Sequence, residues 1–83
     1  MKEITKKSFP QLYHGIGSLF IAAGFSTSTD GNGLVVYGEG ETLSADLKKT
    51  TDIVMEFISI LYKVNVKHHP IEGENAVLLT LEK

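Results

Sequence analysis

The chain has no cysteine and no arginine, and its eight cationic side chains are all lysine. Without cysteine, neither a disulfide nor a thiolate zinc site can reinforce the fold, and the composition fits a reducing, cytoplasmic setting. Without arginine, the planar fork that reads phosphates and base edges is missing. Together with a net charge of −2, this counts against nucleic acid as the main partner.

Charge is also absent locally. From Ser8 to Thr29 there is no Lys, Arg, Asp or Glu, and His14 is the one basic side chain. Lys2, Lys6 and Lys7 ahead of the apolar run Ile16 to Phe25 loosely imitate a signal peptide. Glu3, the glycines at 15, 17 and 24, and the distance between the lysines and the run oppose that reading. The run is about half as long as a membrane span requires, so no membrane contact is expected.

What is present suits one small domain covering residues 1–83. A chain of this size buries only about 60 to 65% of its unfolded surface, so packing, oligomerisation or a partner must supplement a modest core. Residues 1–7 read as a tail or a short edge strand. Ser8 is placed to cap a helix with Pro10 in its first turn. Phe9, Leu12, Tyr13, Ile16, Leu19, Phe20 and Ala23 recur at helical spacing, and Gly24 stops the helix with Phe25 folding back on its last turn.

Phe25–Thr29 and Leu34–Tyr37 read as strands joined by the turn Asp30-Gly-Asn-Gly33, and Gly38–Glu41 reads as a flexible acidic connector. A second helix is expected from Thr42 or Ser44 to about Leu61. Leu43, Leu47, Val54, Phe57, Ile58 and Leu61 would face inward, and Asp46, Lys49, Asp52 and Glu56 outward. Tyr62–His68 alternates as a strand, and Ala76–Glu82 completes the set with Val77, Leu79 and Leu81 inward. The order is αββαββ, an α+β two-layer sandwich with two helices on one face of a four-stranded antiparallel sheet.

The two halves resemble each other. A shift of 38 lays Phe9, Ile16, Leu19, Phe20 and Ala23 on Leu47, Val54, Phe57, Ile58 and Leu61, and a shift of 42 lays Gly31–Val36 on Gly73–Leu78. Leu12 and Tyr13 fall on Thr50 and Thr51, so the match is incomplete.

No catalytic, cofactor-binding or metal-binding signature stands out, and an enzyme is not expected. His68 and His69 are adjacent on a strand and so point to opposite faces, which prevents joint chelation. Asp30, Asn32 and Glu41 imitate a calcium loop, but Leu34 and Val35 occupy positions that need an oxygen ligand and glycine. Glu39, Glu41, Glu72 and Glu74 read as solvated loop charge. The glycines at 31, 33, 38 and 40 are not followed by the lysine of a phosphate loop.

The anomaly is the far side of the first helix: Gln11, His14, Gly15, Ser18, Ile21 and Ala22 form a small, neutral, partly apolar strip. A helix with no charged face is buried on both sides or used as an interface. The expected function is therefore a small protein-binding module, an adaptor, client-specific chaperone or inhibitor, that contacts a protein partner or its own copy in a homodimer through this strip. The alternative is a nucleic-acid module using Lys63, Asn65 and Lys67, with Tyr37, on an open sheet face.

Overall fold

A computed structural model describes residues 8–29 and 33–82. The expectations for residues 1–7 and for the turn at 30–32 lie outside the described residues. The elements run α1 (Phe9–Ala22), β1 (Ser26–Thr29), β2 (Leu34–Tyr37), α2 (Ala45–Tyr62), β3 (Asn65–Pro70) and β4 (Ala76–Glu82). The strands form one antiparallel sheet in the order β1-β2-β4-β3. This is the expected two-layer α+β arrangement, with each αββ unit giving one inner and one outer strand.

Cross-strand register fixes the two faces. Leu34 lies opposite Leu79, Val36 opposite Val77, and Val66 opposite Leu81, and these six side chains form the buried face under the helices. Above them α1 contributes Tyr13, Ile16, Gly17 and Phe20, and α2 contributes Leu47, Thr51, Val54 and Ile58. Both helices pack mainly on the sheet and only lightly on each other.

Local chemistry explains the helix ends. Gly24 has φ +98°, the Phe25 N–H donates to the Phe20 carbonyl, and the Gly24 N–H donates to that of Ile21. The Phe20 and Phe25 rings meet edge to face at 6.4 Å. This is the glycine stop with a hydrophobic clasp that satisfies the last carbonyls. Ser8 does not cap as expected: its backbone is already helical and its side chain makes no capping bond, whereas a cap needs extended geometry. Ser44 does have that geometry and accepts from the Leu47 N–H at 3.2 Å.

α2 ends on Lys63, whose φ is +52° and whose N–H donates to the Ser59 carbonyl. The left-handed residue turns the chain toward β3, so Tyr62 belongs to the helix and the strand begins at Asn65, three residues later than the alternation suggested. His69 and Pro70 extend it at the other end.

The helical half of the internal match holds in burial. Ile16 and Val54, Tyr13 and Thr51, and Phe20 and Ile58 are buried pairs, and Leu19 and Phe57 are an exposed pair. The strand half is out of register, because a shift of 42 carries inward Leu34 and Val36 onto Ala76 and Leu78, which lie on the opposite face.

Two polar ties supplement the core. The Leu81 N–H donates to the buried Tyr13 hydroxyl at 2.8 Å, joining α1 to β4. Asn75, also buried, clamps the 38–44 connector against the β3–β4 loop. Its Oδ1 accepts from the Ser44 N–H at 2.7 Å, and its Nδ2 donates to the Glu39 carbonyl at 2.9 Å. Its backbone bonds to Gly38 and Gly40 as well. The connector is thus held rather than free, a correction to its glycine-based reading. Asn75→Ala should lower the free energy of unfolding by ~2 kcal/mol, since it strands two partly buried backbone groups; urea denaturation measures this.

Candidate functional site

The α1 strip stands open. Gln11, His14, Gly15, Ser18, Ile21 and Ala22 are all exposed, with Ile21 at 58%. The Ser18 hydroxyl donates to the His14 carbonyl at 3.1 Å, a bond within the helix. His14, Ser18 and Ile21 form one wall of a groove of about 200 Å³ whose other wall is Thr27, Ser28 and Thr29 of β1. Gln11, Gly15 and Ala22 do not line it. The strip therefore divides into a flank that borders the sheet edge and a crown that does not.

A second surface was not foreseen. Phe57 and Leu61, expected inward, are exposed, as is Leu19. The inward arc of α2 is the narrower set Leu47, Thr51, Val54 and Ile58, four positions that meet the sheet directly. Ile53, Phe57 and Ile60 follow the i, i+4, i+7 spacing of one helix face and are 58%, 53% and 68% exposed. Leu61 borders them. The signal was in the sequence, because apolar residues at 53, 57 and 60 span too wide an angle from 47, 54 and 58 to share one buried face.

The proposed nucleic-acid residues do not gather. Lys63 sits at the helix cap instead of on the strand. Asn65 and Lys67 lie on β3, while Tyr37 lies on β2 with β4 between them. The Lys67 Nζ contacts the Glu82 carboxylate at 3.0 Å, which offsets its charge on that face.

His68 and His69 are on opposite faces, as adjacent strand residues must be: His68 pairs with buried Leu79, and His69 with Leu78. The loops bearing Glu39, Glu41, Glu72 and Glu74 do meet, through Asn75, but all four carboxylates are exposed. Among the described residues no group of three or more His, Asp or Glu is placed to hold a metal ion. No helix among them is long and apolar enough to cross a membrane.

A cleft of about 290 Å³ lies between α2 and the β3 edge, lined by Leu43, Thr51, Pro70 and Val77, with Lys48, Asp52 and His68 also on its wall. The Thr51 residue is 1% exposed and its hydroxyl has no hydrogen-bond partner among the described residues. A hydroxyl with no bonded base is not an activated nucleophile.

No family model matches the chain, and no curated protein or solved structure matches it either. The surfaces alone carry the functional reading.

An unpaired buried hydroxyl costs roughly 1–3 kcal/mol of desolvation. Thr51→Val keeps the shape and removes that cost, so it should raise the unfolding free energy by ~1 kcal/mol in urea titrations.

Proposed function

We propose that this domain is a non-enzymatic protein-interaction module of the cytoplasm that binds a partner protein through α2. The observation that carries the reading is the cluster Ile53, Phe57, Ile60 and Leu61, four large apolar side chains exposed within nine residues of one helix. Complete burial of each such side chain is worth ~1.5–3 kcal/mol, and a domain with so small a core leaves much of that unclaimed. Contiguous apolar surface on a soluble domain marks an interaction site.

The partner that fits is a protein offering an apolar groove, which takes an amphipathic helix by its i, i+4, i+7 residues. Phe57 and Ile60 would be the anchors, since aromatic and large aliphatic side chains near the centre of a contact dominate its energy. Glu56 and Lys49, exposed beside them, would form a polar rim. Such a module serves as an adaptor, a client-specific chaperone or an inhibitor; the surface is common to all three roles.

The test is co-purification from the native source with the parent chain, Phe57→Lys and Ile60→Lys, each checked for folding by circular dichroism. Both side chains are exposed, so both variants should fold, and each should weaken partner binding at least ~tenfold. A partner retained equally by all three would contradict the reading.

A further inference from the structure

One edge of the sheet is built differently from the other. β3 closes its edge with Lys67, two histidines and Pro70, and proline has no N–H to offer a new strand. These are the devices that keep a sheet edge from pairing. β1 is Ser-Thr-Ser-Thr, with neither charge nor proline, and among the described residues it pairs on one side only, with β2. The flank of α1 beside it exposes His14, Ser18 and Ile21 along the groove.

We infer that a second copy of this chain docks along this edge, with β1 pairing antiparallel to its counterpart across a two-fold axis and the α1 flanks meeting above it. The argument for a copy, rather than a different protein, is charge. A two-fold contact sets a surface against itself, so any charge near the axis faces its like. Both elements of this edge come from Ser8–Thr29, the stretch without Lys, Arg, Asp or Glu, although 18 such residues are spread over the rest of the chain. A contact with a different protein imposes no such neutrality.

Geometry restricts the register. For the helices of both copies to share one face of a continuous sheet, inward residues must oppose inward residues. Thr27, which pairs with buried Val36, then meets Thr27 or Thr29 of the copy. Threonine opposite threonine is a favourable cross-strand pair. Four strand residues are too few for a stable contact, which needs ~800 Å² from each partner. The α1 flank, ~11 Å from His14 to Ile21 at the helical rise, extends the contact beyond the strand. This inference is independent of the α2 reading, which concerns another helix and another partner.

Sedimentation equilibrium of the whole chain tests it, with Ile21→Lys, Ser28→Lys and Phe57→Lys measured alongside and circular dichroism confirming that each is folded. The parent should be a dimer. Ile21→Lys and Ser28→Lys, which bring like charge close to the two-fold axis, should each raise the dissociation constant at least ~tenfold, and Phe57→Lys should leave it unchanged. A parent that stays monomeric at every concentration would overturn the inference. So would a dimer that survives both edge variants, and loss of that dimer in Phe57→Lys would reassign the contact to α2.

Discussion

Each helix buries one narrow face, four residues of α1 and four of α2, and the rest of the molecule follows from that limit. Two helices laid on one side of a four-stranded sheet touch it along a line and scarcely support each other. Any apolar residue more than about a quarter-turn from that line remains in solvent, given 100° per residue. Leu19, Ile53, Phe57 and Ile60 are in that position. The exposed apolar surface is therefore a direct consequence of a wide apolar arc on helices that have only a flat sheet to cover it.

A core so limited leans on polar ties. Tyr13 carries a hydroxyl into the buried layer to meet a β4 amide, and Asn75 satisfies two backbone groups of the connector while its own main chain bonds two more. Such ties contribute about 1 kcal/mol apiece in net terms, yet breaking one strands its partners. They also explain how glycine-rich segments on both sides of Asn75 hold a fixed path into α2, whose orientation sets the direction of the Phe57 face. Thr51 is the exception, a buried hydroxyl that helps fill the layer without a bond to any described residue.

Most of the fold was legible because period and punctuation agree. The spacing of Tyr13, Ile16 and Phe20, the stop at Gly24, the alternation of Val77, Leu79 and Leu81, and the αββαββ order all match the structure. What failed has a physical cause in each instance. Periodicity locates an apolar arc but not which part of a wide arc the sheet covers, so Phe57 and Leu61 were placed inside. The left-handed cap falls on Lys63, where no glycine announces it, so the start of β3 was displaced. Asn75 acts through bonds to residues far away in sequence, which no local pattern records. Of the candidate sites, the α1 strip, for which the sequence leaves burial on both sides and an interface equally open, is exposed; the α2 surface was hidden by the inward assignment of Phe57 and Leu61; and β4 lies between Tyr37 and Lys67.

The two halves of a repeated pattern thus present different surfaces. α1 with β1 forms a charge-free edge suited to a copy of itself, and α2 carries an apolar face suited to another protein. Hydrogen exchange of the isolated protein, followed by mass spectrometry or NMR over a range of concentrations, separates these roles most directly. Amides of β1 should exchange more slowly as concentration rises while those of Ile53 to Leu61 do not change. Concentration-dependent protection confined to α2, or none anywhere, would contradict this division.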